Sequence, residues 1–531
     1  MLRRLASVPG ITFALFFAWK LALLIFTAQP VPANDSFFYD GPVVNYLLHG
    51  EYRNPALVHA LPISGGEVFC AYPPLYQFML LGWMTVFGTS ALAAMWLHLV
   101  LLAVYALVVL AIFRQLELSA GCVNLAGLFL FAITFHDRPD TLAHALGTFA
   151  VFAAVRTWGG SFQNGGDAGP QNEPGRRTAR SSNAWPWSCA LLLLLTFSTS
   201  LQIGAIYALW IALMTAGSTW LWRLKFLWTA VLAFGFALAG LIVLVRFGFP
   251  HLWEGFQEHV RITPSVTGWR APHLDELLKV ARTAPGILLV GTLLAWLAVR
   301  RNICLSASPA MFTAISGVIA ASALIAGCLV VLTPNVVHVA NYLQPVVVGC
   351  FLMAARDGFG GWRLARAIGA LFVAAALLVS IRAVGLTTWG VACVRDVDRR
   401  TALARVKTEL DALAPGSTAM ISAAYLYDAA RRTNINWVHS DWPAAPGSPG
   451  GEIGGIIRLR PAKFILTQFD YYRRYTSHLR DLRSLPNPPQ IQLSDAATIR
   501  PPDAFPSLQR VVQHVSWAPV VVNLNWPEQT K

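Results

Sequence analysis

The sequence predicts an all-α polytopic membrane protein of about 11 transmembrane helices, with interfacial helices in its first outer loop and a small C-terminal α/β soluble domain. Three observations predict it. Hydrophobic residues make up 56% of the 531 positions and charged residues only 12%, about half of the roughly 25% in a soluble globular protein. The charge is uneven: residues 1–390 hold 37 charged side chains, and residues 391–531, barely a third as long, hold 29. Finally, apolar runs of spanning length recur through the first part, separated by short basic loops. The expected organisation is a membrane domain over 1–390 and an extracytoplasmic α/β domain over 391–531.

Taken in order, the expected spans are Ile11–Gln29, Ala91–Phe113, Gly121–Phe135, Thr141–Trp158, Phe226–Val245, Gly286–Val299, Met311–Leu332, Tyr342–Ala355 and Ile368–Gly390. Met1-Leu2-Arg3-Arg4 ahead of the first run reads as the start of an uncleaved span, since Gln29-Pro30-Val31-Pro32 is no small-x-small cleavage site. Two runs are ambiguous. Pro74–Gly88 is short for a span, and Trp187–Gly217 is uncharged but too long for one pass. Laying Pro74–Gly88 along the interface and folding the longer run back at Thr196–Gln202 places Arg3/Arg4, Arg114, Arg176/Arg177/Arg180, Arg223/Lys225, Arg300/Arg301 and Arg356/Arg363/Arg366 all on one side, the cytoplasmic one. The N-terminus is then inside and the C-terminal domain outside. The long loops Pro30–Pro73 and Phe247–Pro285 and the short ones His136–Asp140 and Thr333–Asn341 face outward, while Gly159–Ala184 is a cytoplasmic low-complexity linker.

In the tail, Thr401–Leu413 has helical spacing and stops at Pro415-Gly416. Thr418–Ser422, Phe464–Thr467 and Val520–Leu524 read as strands.

Composition also excludes function classes. The net charge of +14 sits in short loops between apolar runs and not on a polar scaffold, which speaks against nucleic acid. The seven cysteines form no CxxC pair and no zinc-spaced His/Cys cluster. Cys70 and Cys393 fall on the outer side, unpaired by anything in the sequence. No cofactor is indicated. His136, Asp140 and His144 recur at a metal-compatible spacing of four, but Pro139 interrupts the helix and no HExxH-type context surrounds them, so no metal site is assigned.

The residues able to carry chemistry collect on the outer side. Asp35 lies just beyond the first span, where partial desolvation suits a carboxylate to general-base work; Asn34-Asp35-Ser36 is equally good helix-capping chemistry. Asp40 follows in the same loop, with Tyr39 between them and Tyr72 at the head of the Pro-Pro segment. Arg138 offers a planar fork suited to phosphate, and Asp140 reads as a substrate-side acid or as a cap. Beyond these, His259 and Arg261 belong to the second large loop, and His338, Asn341 and Tyr342 open the tenth span. Polar groups at such depth are functional candidates, although spacing alone favours an interhelical hydrogen bond for Asn341.

An acid near Tyr39, the Gly50-Glu51-Tyr52 turn, Tyr72-Pro73-Pro74-Leu75-Tyr76, Phe87-Gly88, Arg138-Pro139-Asp140-Thr141-Leu142-Ala143 and Asn341-Tyr342 before Pro345 together resemble the GT-C glycosyltransferase superfamily. Within it they are most similar in style to protein O-mannosyltransferase-like enzymes, aminoarabinose lipid A transferases and bacterial galacturonosyltransferase-like membrane proteins. The resemblance spans roughly residues 10–390. It implies transfer of a sugar from a polyprenyl-phosphate donor to a lipid, protein or polysaccharide acceptor outside the cytoplasmic membrane, with Asp35 as the base or acceptor-orienting acid. One departure stands out. Ala71 and Tyr72 occupy the positions where related transferases carry an acid or a Glu-Lys pair, so Glu67 or Asp40 substitutes, or the acceptor is bound differently. Such chemistry needs fixed positive charge at the leaving phosphate and a carboxylate at the attacking hydroxyl. Arg138, Arg261 and His259 suit the first role. The competing class is a transporter or flippase of lipid-linked saccharides, which requires inverted repeats and broken midplane helices that are not evident here.

Overall fold

The computed structural model describes residues 8–32, 35–66, 68–69, 72–133, 139–163, 184–222, 226–262, 287, 316, 342–346, 348–349, 352, 363–394, 399–444, 448–494 and 506–527. These residues form a mostly helical body and, after the last long helix, one five-stranded sheet. Three helices among them are long and apolar enough to cross a membrane: Ala91–Gln115, Leu227–Gly248 and Gly369–Cys393. Ile11–Thr27, Leu75–Phe87, Ala120–Phe131, Ala184–Phe197 and Leu201–Gly217 are shorter apolar helices. Large apolar side chains point outward along this body; Phe26 is 82% exposed, and Phe236 and Phe247 are each 77% exposed. Water would penalise that surface and acyl chains would not.

Several expected elements take a particular form. Trp187–Gly217 does fold back, at residues 198–200, between helices Ala184–Phe197 and Leu201–Trp222. Its turn faces the first loop, because Leu75 N–H donates to Ser198 C=O at 3.0 Å. Pro74–Gly88 contains a 13-residue helix, Leu75–Phe87, headed by Pro74 and closed by Gly88. The expected third span is not one continuous α-helix: Ala120–Gly127 tightens to a 3₁₀ turn over Leu128–Ala132. The break falls where Gly127 crosses the first span so closely that an added Cβ would stand 2.1 Å from Thr12 Oγ1. The expected spans Gly286–Val299 and Met311–Leu332, and the linker beyond Gln163, lie outside the described residues apart from Ile287 and Ser316.

In the tail, strands β1 (Thr418–Ile421), β2 (Asn436–His439), β3 (Lys463–Thr467), β4 (Gln490–Leu493) and β5 (Pro519–Asn525) order as β2-β1-β3-β5-β4. The pairs β1–β2 and β1–β3 are parallel; β3–β5 and β5–β4 are antiparallel. The buried apolar strands β1, β3 and β5 answer the three sequence expectations. Strand β2 begins on a polar residue, and β4 alternates glutamines at an exposed edge, so neither has a strong apolar signature.

This domain is not tethered loosely. Tyr425, Leu426 and Trp517 share one buried core with Phe37, Phe38 and Leu57 of the first loop. Helix Pro506–Val515 adds a second contact, burying Leu508 and Val512 against Val391 of the last long helix and Leu23 of helix Ile11–Thr27.

Candidate functional site

The first loop is built as a rigid platform. After helix Ile11–Thr27 the chain forms a one-turn helix, Ser36–Tyr39, and then helix Gly41–His49. Asp40 is the pivot between them, with Pro42 in the first turn of the second helix and Gly50 closing it at φ 77°, a left-handed conformation that favours glycine. The carbonyls of the short helix are held from the side: Asn54 Nδ2 donates to Phe37 C=O at 2.5 Å and Gln77 Nε2 to Phe38 C=O at 3.1 Å. Tyr52 OH in turn fixes Gln77 at 2.6 Å. Asn54, Gln77, Phe37 and Phe38 are all buried, so this geometry is costly to break.

Asp35 stands half-buried at the head of that platform. The capping expectation needs correction here: its side chain makes no capping hydrogen bond, although its backbone C=O accepts from Phe38 and Tyr39 N–H. The turn is already αR at Asp35, with φ −65°, and a capping side chain needs the extended backbone that this residue lacks.

Asp40 is different. It is 1% exposed, and Tyr427 OH, from the C-terminal domain, donates to its Oδ2 at 2.8 Å. Oδ1 is buried with no hydrogen-bond partner among the described residues. Burial pushes the carboxyl up to about 7, and the Tyr427 hydrogen bond opposes part of that rise.

An aromatic wall stands beside the acids. The rings of Tyr39 and Tyr72 are 4.9 Å apart, and those of Tyr72 and His259 are 4.5 Å apart. His259 arrives from helix Pro250–Ile262 because the preceding residue clamps that helix onto the first loop. Glu258 accepts from Ile63 N–H at 3.0 Å and Ser64 N–H at 2.7 Å, and Ser64 Oγ donates to Gly255 C=O at 2.8 Å. Burial lowers the His259 imidazole to about 4, so it is neutral at pH 7 and cannot serve there as a cation. The expectation that His259 supplies positive charge to a leaving phosphate is corrected accordingly; as a neutral ring it can donate a hydrogen bond or stack.

A second group lies deeper in the bundle. Asp140 is buried at the start of helix Asp140–Gln163. Its neighbour Thr141 bonds Tyr342 OH at 2.6 Å and His98 Nδ1 at 3.3 Å. The Tyr342 ring stacks on His144 at 4.7 Å, and Tyr105 OH donates to Tyr342 C=O. His144 Nδ1 and Thr148 Oγ1 both meet Tyr207 OH, at 3.0 and 2.8 Å. Lys20, buried in helix Ile11–Thr27, donates to Ile133 C=O at 2.9 Å. Leu142 packs into the same core as Tyr39 and Tyr76, which joins this network to the platform above it.

The structure therefore brings the rings of Tyr39, Tyr72 and His259 together, with Asp35 and Asp40 at the two ends of the short helix that carries Tyr39, and it gathers Thr141 and Tyr342 next to Asp140. Arg138, His338 and Asn341, and the side chain of Arg261, lie outside the described residues. So do His136 and Cys70; Cys393 is a free thiol. Among the described residues no group of His, Cys, Asp and Glu could hold a metal. Sequence reasoning missed Lys20 and His98, although each is conspicuous as a polar residue inside an apolar span. It also missed Tyr427, for which no local signal exists.

No protein-family model matches the chain, and no curated protein matches its sequence. Solved structures do. ArnT from Cupriavidus metallidurans, bound to undecaprenyl phosphate, aligns over 98% of this chain and 100% of its own at 13% identity, with a TM-score of 0.48. The oligosaccharyltransferase of Archaeoglobus fulgidus in its apo form aligns over 88% of this chain and 71% of its own, at 12% identity and a TM-score of 0.47. The Archaeoglobus fulgidus oligosaccharyltransferase AglB, with an inhibitory peptide and a dolichol-phosphate, covers 88% and 70% at 12% identity, with a TM-score of 0.46.

Proposed function

We propose that this protein is an integral-membrane glycosyltransferase that moves a sugar from a polyprenyl-phosphate donor to an acceptor at the outer face of the cytoplasmic membrane. About 11 spans, an inside N-terminus and an outside C-terminal domain belong to the same proposal. The observation that carries it is the platform itself: two loop carboxylates held on a braced turn, beside a Tyr39–Tyr72–His259 wall, where an apolar body meets a polar domain. A lipid-linked donor needs such a border, with its chain among helices and its reactive carbon in a structured polar pocket.

In this reading Asp35 orients or deprotonates the acceptor hydroxyl, since it is half-buried and within reach of solvent, whereas Asp40 is sealed beneath Tyr427. Arg138 and Arg261 are assigned to the leaving phosphate, and the wall aromatics to the sugar and its carrier. Asp140, His338, Asn341 and Tyr342 belong to the substrate side. No cofactor is assigned. Transfer of labelled sugar from a defined polyprenyl-phosphate donor by purified protein tests this. Asp35→Asn should lower transfer by about 10²–10⁴-fold, the usual worth of a positioned general base, with expression unchanged. Near-full transfer by that variant would move the role to Asp40, and full activity in both single variants and the double would refute the assignment.

A further inference from the structure

We infer, within the transferase reading, that Trp442 on the loop after β2 is a stacking platform for the ring of a saccharide acceptor, a class that reading leaves open. The buried ring of Phe38 is met edge to face by three partly exposed rings: Tyr72 at 5.6 Å, His259 at 6.1 Å and Trp442 at 5.3 Å. Three separate stretches of chain thus build one aromatic cluster. Trp442 is the member that the C-terminal domain adds to the Tyr72–His259 wall.

The loop that carries this indole is firmly braced. Asp441 N–H donates to His439 Nδ1 at 2.7 Å and Trp442 N–H to His439 C=O at 3.2 Å. Tyr475 OH donates to Ser440 C=O at 2.5 Å, and Arg474 Nη1 stands 3.3 Å from Asp441 C=O and 3.1 Å from its carboxylate. Pro443 packs so closely on Gly455 that a Cβ added to the glycine would stand 2.7 Å from the Pro443 C=O. A ring held this way needs no ordering when a ligand settles on it. Its indole N–H makes no hydrogen bond among the described residues. The location is also the one at which open parallel sheets take ligands: β1, β2 and β3 run parallel, and this loop leaves the carboxyl end of β2.

An indole face offers negative π density to the C–H bonds of a sugar ring, and its N–H suits a hydroxyl oxygen. A peptide acceptor read by strand addition would need the β2 edge, but Pro55–Leu57 covers that edge and Trp437 of β2 stacks on Phe37 at 6.3 Å. An acyl chain would meet the ion pairs beside the loop, Arg474 with Asp441 and Glu452, and His478 with Glu452. The donor's sugar is tethered to the helices by its carrier, at the end of the wall where Tyr72 precedes the apolar helix Leu75–Phe87. Trp442 belongs to the polar domain, from which an acceptor arrives.

The test is saturation-transfer NMR on the full-length protein in deuterated detergent, with aromatic protons irradiated. The probes are the methyl glycosides of glucose, mannose, galactose and N-acetylglucosamine, and a short peptide containing serine and threonine is the comparison. At least one glycoside should receive saturation at its ring C–H protons, the peptide should receive none, and an excess of polyprenyl-phosphate sugar should leave the signal in place. Trp442→Leu keeps bulk but removes the π face, and it should weaken binding about tenfold, whereas Trp442→Phe should stay within about threefold of wild type. Silence from every glycoside, saturation of the peptide alone or displacement by the polyprenyl-phosphate sugar would overturn the proposal. So would wild-type binding in the Leu variant, or equal loss in the Leu and Phe variants, which would mark the ring as packing only. Binding is read here without turnover. A protein that binds a glycoside in this pattern but transfers no labelled sugar refutes the transferase reading and leaves the saccharide site standing; one that transfers sugar while Trp442→Leu binds as wild type does the reverse.

Discussion

Replacing Asp40 by asparagine should make the docking of the first loop against the C-terminal domain independent of pH. In the folded chain burial raises the Asp40 carboxyl from 3.8 to about 7. The undocked carboxyl titrates near 4, so between about pH 4 and 7 the docked form holds a proton that the undocked form has released. Docking is therefore strongest below pH 4, weakens as the pH rises through this window, and levels off above about pH 7. A rise of about three pH units corresponds to a loss on the order of 4 kcal/mol across the window, an upper figure for a single buried carboxyl. Asp40→Asn keeps a side-chain oxygen for Tyr427 and removes the charge. It should flatten the dependence and be the more firmly docked protein at pH 8. Tyr427→Phe acts the opposite way, because its hydroxyl favours the ionised form. It should cost about 1 kcal/mol at pH 5 and about 2–3 kcal/mol at pH 8, the difference between bonds to neutral and charged acceptors. Hydrogen exchange of amides in Gly41–His49 and Leu426–Ala429, corrected for intrinsic rate, reads docking locally and avoids a global unfolding that a protein of this kind does not undergo in two states. Equal protection from pH 4 to 8 in the wild type, or an unchanged slope in Asp40→Asn, would refute the reasoning.

Glu258→Gln should loosen helix Pro250–Ile262 from the first loop by about 1–3 kcal/mol, since two backbone donors lose a charged acceptor; protease cleavage within the helix would rise, and an unchanged rate would show that the clamp is unimportant. Gly147→Val should lower thermal stability sharply. Even one added Cβ would stand 2.1 Å from the Tyr207 ring, and displacing that ring breaks its contacts with His144 and Thr148; a melting temperature within a degree of wild type would contradict the packing. For topology, a membrane-impermeant thiol reagent applied outside should reach a cysteine at Ser448 and miss one at Gly165, and the reverse pattern would invert the proposed orientation.

Much of this protein is decided locally, and those parts are legible in the sequence. Apolar runs and the basic loops between them announce a membrane body, because the bilayer requires about 20 consecutive apolar residues and sorts positive charge to one side. The polar break at residues 198–200, the helix after Pro74 and the three apolar strands of the tail follow from short-range pattern and turn chemistry. Asp35, Asp40, Tyr39 and Tyr72 stand out because they crowd one loop. What only the tertiary structure decided is the company these residues keep. Tyr427 lies 387 positions from Asp40, and Glu258 lies 194 from Ser64. The Phe38 ring joins Tyr72, His259 and Trp442 from three separate stretches. Periodicity reports which face of an element is apolar, but not which distant element covers it. Whether a carboxylate is solvated, capping or buried under a tyrosine depends on that cover, and so does its ionisation. For the same reason a histidine that the sequence offers as a cation becomes a neutral ring once Tyr72 and Phe38 close over it.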